Sequence, residues 1–223
     1  MNMLRSEETT LLLGQNKKVF NPSEVNLAAT VLDQACRVIL VTAPTAGSGT
    51  TVSAISLAKQ LAQAARGRVL LVDADPSANG LSTQLGLAGD PGLFELLLSD
   101  AREELLEECA LQLPDMPFEV LPLGQPSPSA GRFTVEDMQQ VLALLGSHYR
   151  FVVIDSEAVY AGNSALGLAS MVDGVVLVIR AEMTRWETAQ AALERLRQAD
   201  ARLLGAVFNG RRYYMPQWLY NLL

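Results

Sequence analysis

The chain has 223 residues, with 24 acidic and 17 basic side chains and a formal net charge of −7. That length suits one α/β domain with a full core, and the acidic balance argues against a nucleic-acid partner held through its phosphates. No apolar run approaches the roughly 18 residues of a membrane span. Residues 1–10 lack the charged-then-apolar order of a signal peptide, and Cys36 and Cys109 are too few for a disulfide framework. The expectation is a cytoplasmic protein with two buried thiols.

In chain order, residues 1–20 read as a flexible polar arm, 21–210 as one α/β domain and 211–223 as an aromatic tail. Asn21-Pro22-Ser23-Glu24 reads as a turn and helix start, with Leu27, Val31 and Leu32 as an apolar stripe. Val38 to Val41 is a short apolar run with the β-branched enrichment of a buried strand. A loop of small residues, Thr42 to Gly49, leads into a helix whose face carries Ala54, Leu57, Ala58 and Leu61. Arg68 to Asp73 is a second strand ending in an acid.

Leu93 to Leu97 and Asp100 to Leu111 suggest two helices, the second started by Asp100 with Glu103 as a capping pair. Phe118 to Leu121 is a third strand, followed by a proline- and glycine-rich loop from Pro122 to Ser129. Thr134 with Asp137 starts a helix that Gly146 ends. Phe151 to Asp155 is a fourth strand, again ending in an acid, and Gly174 to Ile179 is a fifth. Thr184 to Glu187 is a capping box for the last helix, and Leu203 to Phe208 is the sixth strand. Strands alternating with helices, apolar throughout and without hairpin signals, predict a doubly wound, mostly parallel sheet flanked by helices.

Strand, glycine loop and helix together form an anion site, because loop N–H groups point inward and the helix dipole favours negative charge. Against the P-loop pattern G-x-x-x-x-G-K-[ST], Gly49 fits the second glycine and Thr51 the magnesium-binding hydroxyl. Pro44 stands where the first glycine belongs and Thr50 where the lysine belongs; the chain's lysines are Lys17, Lys18 and Lys59. Ligands of such sheets lie outside the carboxyl ends of the strands. There the sequence delivers Gly47, Ser48, Gly49, Thr50 and Thr51, then Asp73 and Asp75, then Asp155. A hydroxyl and carboxylates near phosphates suit magnesium, which takes few protein oxygens.

An acidic stretch (Asp100, Glu103, Glu104, Glu107, Glu108, Asp115) faces an arginine-rich C-terminal third in the sequence, from Arg180 to Arg212. This fits two solvated faces, head-to-tail contact between subunits, or contact with an acidic partner.

The segment V-L-L-V-D-A-D-P-S-A-N-G-L-S-T-Q-L-G-L resembles the second-strand region of ParA/MinD ATPases. The ordered set V-I-L-V-T…G-S-G-T-T, V-L-L-V-D-A-D, G-L-F-E-L-L, F-E-V-L-P-L-G, Y-R-F-V-V-I-D-S, D-G-V-V-L-V-I-R-A and L-L-G-A-V-F-N-G resembles the bacterial tyrosine kinases of capsule and exopolysaccharide synthesis, within that P-loop group. The resemblance implies ATP or ADP with magnesium, metal roles for Thr51, Asp73 and Asp155, and catalytic roles for Asp73 and Asp155. It also implies Asp75 as a second acid and Asn209 near the base. Tyr213, Tyr214 and Tyr220 resemble that family's phosphoacceptor cluster, although aromatic packing accounts for them equally. The implied partner is a membrane polysaccharide chain-length or export protein at its cytoplasmic face, with a possible homo-oligomer.

The chain departs from the family at four places. Thr50 replaces the loop lysine and Thr45 a second lysine of ParA/MinD proteins. Ser156-Glu157-Ala158 replaces Thr-Pro-Pro, and the oligomerisation motif E-x-x-R-x-x-R falls on Glu24, Leu27 and Thr30. These departures imply a regulatory or scaffold protein with weak or absent catalysis. The alternatives are an active tyrosine autokinase or ATPase, and an NAD(P)-binding module, since Thr42 to Gly49 also resembles the glycine loop of short-chain dehydrogenases.

Overall fold

A computed structural model describes residues 18–20, 27–125 and 134–210. Eight strands form one sheet: β1 (Lys18–Phe20), β2 (Val38–Thr42), β3 (Val69–Ala74), β4 (Leu111–Gln112), β5 (Glu119–Leu121), β6 (Phe151–Ser156), β7 (Gly174–Arg180) and β8 (Leu203–Asn209). Their spatial order is β1-β8-β7-β2-β6-β3-β5-β4, and every neighbouring pair is parallel except β4 with β5. The helices are α1 (Leu27–Asp33), α2 (Thr50–Ala64), α3 (Leu81–Leu85), α4 (Leu93–Leu98), α5 (Arg102–Cys109), α6 (Val135–His148), α7 (Ser164–Ala169) and α8 (Trp186–Gln198).

Successive strand side chains point to opposite faces, and the core divides accordingly. Val38, Leu40, Leu70, Val72, Val152, Ile154, Val175 and Leu177 pack on the face covered by α4 to α8. Ile39, Val41, Val69, Leu71, Phe151, Val153, Val176 and Val178 pack on the face covered by α1, α2 and α3. A sheet buried on both faces needs continuous apolar strands, which is why the six interior strands were visible in the sequence. The expected fold class holds. Both cysteines are buried and free, and burial pushes the Cys109 thiol up to about 11.

Several boundaries differ from the sequence reading. Lys18–Phe20, expected within a flexible arm, is an edge strand parallel to β8. The helix expected over 100–111 spans only Arg102–Cys109, and the chain then turns back so that Leu111–Gln112 pairs antiparallel with β5. Its N-cap is Ala101, with no side-chain cap from Asp100. Arg102 anchors this helix instead, donating from Nη2 to Asp137 at 2.6 Å and from Nε to the Leu96 carbonyl at 3.1 Å.

Thr134 and Asp137 do form the reciprocal capping box of α6. That helix runs past Gly146 to His148, so the glycine does not end it; a Cβ there would meet Val38 Cγ2 at 3.6 Å, an ordinary contact. Thr184 does not cap α8, whose N-cap is Arg185; its buried hydroxyl accepts from the Arg180 N–H at 3.1 Å. The helix start expected at 21–24, the loop residues 126–129 and the tyrosine tail lie outside the described residues.

Candidate nucleotide site

Asp73 and Asp155 are direct partners in the β3–β6 register. Counting by twos from Val69 and Phe151 puts both carboxylates on the face of the sheet that carries α2. The loop strand β2 adjoins β6, pairing Val41 with Asp155, so the acids stand beside the glycine loop and the start of α2. Parity and register, both set by backbone pairing, bring together what three separate sequence segments contribute.

The loop is held from several directions. Gly49 is the N-cap of α2 with φ +89°, and a Cβ there would fall 1.8 Å from Asn209 Nδ2. Only glycine serves at such a place, for conformation and for space alike. Ser53 donates to the Gly49 carbonyl from its N–H at 3.0 Å and from Oγ at 2.9 Å. Ser48 Oγ donates to the Thr45 carbonyl at 2.8 Å. Two residues grip the loop from neighbouring strands: Arg180 Nη1 donates to the Gly47 carbonyl at 2.9 Å and Asn209 Nδ2 to the Ser48 carbonyl at 3.0 Å.

On the β6 side, the segment after Ser156 is laced to the loop's beginning. Thr42 Oγ1 donates to the Glu157 carbonyl at 2.8 Å, the Val159 N–H to Ala43 at 2.8 Å and the Tyr160 N–H to Pro44 at 3.3 Å. The Glu157 carboxylate itself is turned to the start of α7, where it accepts from the Ser164 N–H at 3.1 Å and from its hydroxyl.

The two acids differ in character. Asp155 is fully buried, and neither carboxylate oxygen has a hydrogen-bond partner among the described residues. Burial pushes its pKa up to about 7; the Thr51 hydroxyl, close by but outside hydrogen-bond geometry, offsets part of this, and the charges of Asp73 and Asp75 add to it. An orphaned, buried carboxylate beside a glycine loop is a group arranged for a cation or a proton. Asp73 is buried as well, and burial raises its pKa. Yet its oxygens are in use: Oδ2 accepts from the Ser82 N–H at 2.7 Å and hydroxyl at 2.6 Å, and Oδ1 from the Asp75 N–H at 3.0 Å. Ser82 Oγ in turn accepts from the Leu123 N–H at 2.9 Å. Asp73 therefore ties β3 to α3 and to the strand-end loop after β5, with limited capacity left for a metal.

Asp75 is half-buried and caps its own turn through the Ser77 N–H at 2.9 Å. Sequence reasoning missed Ser82 and Arg180, because nothing local marks a serine nine residues from an aspartate, or a strand-end arginine, as partners across the fold. A separate cavity of about 320 Å3, lined by apolar groups such as Leu93, Leu97, Met138 and Leu168, lies toward the other face; such a lining does not suit phosphates.

Residues 39–211 match the model of the CobQ/CobB/MinD/ParA nucleotide binding domain. The chain belongs to this family. Among curated relatives it is 27% identical over 198 residues to a tyrosine-protein kinase of Bacillus subtilis, YwqD, covering 88% of this chain and 82% of that one. It is 27% identical over 174 residues to the tyrosine-protein kinase Etk of Escherichia coli, covering 78% of this chain but 23% of Etk. The structure resembles the kinase domain of Etk, with a TM-score of 0.71 at 25% identity over 84% of this chain and 73% of that chain. It resembles the VpsO kinase domain with a TM-score of 0.72, again at 25% identity, over 84% and 93%. The septum site-determining protein MinD of Pyrococcus horikoshii, solved with Mg-ADP, shares the fold with a TM-score of 0.63 at 23% identity over 82% and 75%.

The resemblance read from the ordered motifs is thus borne out, and the domain is a nucleotide-binding one. The dehydrogenase alternative is corrected by topology. In a dinucleotide fold the glycine-loop strand lies beside the next strand in sequence. Here β6 separates β2 from β3. Among the described residues no helix is long and apolar enough to cross a membrane.

Proposed function

We propose that the chain binds MgATP or MgADP weakly and acts as a regulatory or scaffold partner in exopolysaccharide synthesis or export, with weak or absent phosphoryl transfer. One observation supports this most: Gly47, Gly49, Thr51 and an orphaned Asp155 are retained beside a loop in which Thr50 stands at the place of the phosphate-binding lysine and Pro44 at that of the first glycine. Gly47 to Thr51 would cradle the phosphates through backbone N–H groups at the start of α2, with Asn209 toward the base. Thr51, Asp155 and, with less capacity, Asp73 would hold magnesium, with Asp75 as a further acid. The ion would neutralise phosphate charge; the protein's own part is to fix the loop, bury Asp155 and exclude water.

The partner on this reading is a membrane polysaccharide chain-length or export protein, met at its cytoplasmic face, and the protein would be cytoplasmic and peripheral to the inner membrane through it. A homo-oligomer lacking the usual arginines would be weak. The test is a calorimetric titration with ATP and magnesium, followed by incubation and phosphotyrosine detection. Weak, magnesium-dependent binding without tyrosine labelling is expected.

A second reading, an active ATP-dependent autokinase acting on Tyr213, Tyr214 and Tyr220, is favoured by the tyrosine-protein kinases to which the chain is similar. It is also favoured by an Asp155 poised near neutral pH. Tyrosine labelling that disappears in Asp155→Asn would establish it over the first.

A further inference from the structure

Arg180 and Asn209 are register partners at the ends of β7 and β8, and they hold two consecutive loop carbonyls, those of Gly47 and Ser48. The chain contains no cis peptide among the described residues. In a trans peptide the C=O and N–H point in opposite directions, so fixing the Gly47 carbonyl fixes the Ser48 N–H, and fixing the Ser48 carbonyl fixes the Gly49 N–H. Neither of those N–H groups has an acceptor among the described residues. Both grips come from the side of the loop away from Asp155, since β7 and β8 flank β2 opposite to β6.

We propose that Arg180 and Asn209 form an outer clamp that presets the Ser48 and Gly49 N–H groups toward the nucleotide phosphate, and that the guanidinium charge, acting through the Gly47–Ser48 peptide, offsets part of the loss of the loop lysine. The inference rests on the nucleotide-binding reading above. A charge-assisted hydrogen bond to a carbonyl polarises the whole peptide and strengthens its N–H as a donor. A peptide already held in the binding orientation also spends less of the ligand's binding energy on ordering the loop.

Arg180 is itself well anchored. Its N–H donates to Thr184 Oγ1 at 3.1 Å and its carbonyl accepts from the Thr184 N–H at 2.9 Å. Glu182 takes a positive φ of 62° in that turn. The Ala181 N–H bonds the Asn209 carbonyl at 2.8 Å, locking the two clamp residues side by side. Lys59 is no substitute, because nine residues along α2 from Thr50 amount to roughly 13 Å of rise.

The test compares the full chain with Arg180→Met, which keeps length but loses the donor, Arg180→Lys, which keeps donor and charge, and Asn209→Ala. Two readouts are taken: MgADP and MgATP affinity by calorimetry, and the backbone amide signals of Gly47, Ser48 and Gly49 by NMR in ligand-free protein. Arg180→Met and Asn209→Ala should each bind roughly tenfold more weakly and show split or broadened loop amides. Arg180→Lys should stay near wild type in both. Unchanged affinity in Arg180→Met overturns the clamp. So does a weakened affinity with undisturbed loop amides, which would mean that the arginine meets the phosphate directly. If wild type binds neither nucleotide, the proposed function fails, and the ligand-free amides of Arg180→Met still decide whether the clamp sets the loop: disturbed signals support it and unchanged ones overturn it.

Discussion

Replacing Asp155 with asparagine tests the electrostatics of the site directly. In the folded chain Asp155 has a pKa of about 7, against 3.8 for the free group. The folded state therefore holds a proton that the unfolded state releases between those values, and stability falls as pH rises through that window. At 1.36 kcal/mol per unit, the raised pKa of Asp155 destabilises the folded state by about 2 kcal/mol at pH 5, where it keeps its proton, and by about 4 kcal/mol at pH 8, where it is ionised. Asp155→Asn removes this cost but leaves a buried amide, itself short of partners by about 1–3 kcal/mol at every pH. Glu119 and Asp137 titrate with the opposite sign, since the Arg68 and Thr134 bonds hold their pKa values down; only the difference between variant and wild type isolates Asp155. Between pH 5 and pH 8 that difference should move toward the variant by about 2–3 kcal/mol, read as a relative gain of roughly 4–12 °C in Tm for a chain of this size. Millimolar magnesium with ADP should narrow the gap at pH 8 by stabilising wild type alone. Denaturation curves that stay parallel from pH 5 to pH 8 would refute the reasoning and mean that Asp155 is ionised and solvated in the folded state.

Thr50→Lys places one unit charge roughly 4 Å from a phosphate oxygen, a Coulomb term of about 4 kcal/mol at an effective dielectric of ~20. After desolvation and side-chain ordering, roughly 1.5–3 kcal/mol should remain, tightening MgATP about ten- to a hundredfold in a calorimetric titration. Gly49→Ala must collide with Asn209 at a positive φ, and should abolish nucleotide binding while circular dichroism shows the fold retained. Ser82→Ala removes the hydroxyl between Asp73 and the Leu123 N–H; a loss of about 1–3 kcal/mol in urea unfolding is expected, with no such loss in the exposed control Ser77→Ala. If the tail tyrosines are phosphoacceptors, intact mass after co-expression with an active tyrosine kinase should rise by whole phosphate units and return to the unmodified value when Tyr213, Tyr214 and Tyr220 are all phenylalanine.

Much of this protein could be read from composition and periodicity. The interior strands are apolar on both faces because helices cover both, so they stand out as runs in the sequence. The loop announces itself because only glycine tolerates the backbone at Gly49, and the α6 cap because Thr134 and Asp137 lie within one turn of each other. Failures came where the deciding partner is distant or is a backbone group that residue type does not reveal. Asp100 and Thr184 carry capping residue types, yet Arg102 bonds across to α6 and Thr184 bonds back to Arg180. Lys18–Phe20 has no strand signature of its own; the open edge of β8 supplies its hydrogen bonds. The sequence alone determined that two acids end two strands near a glycine loop, and that Thr50 stands at the lysine's place. The tertiary structure decided that they differ: Asp73 is taken up by Ser82, while Asp155 is left bare and near neutral pH. The reason is physical: strand order and register choose a side chain's neighbours, and those neighbours decide whether a buried carboxylate is satisfied or free to take a ligand.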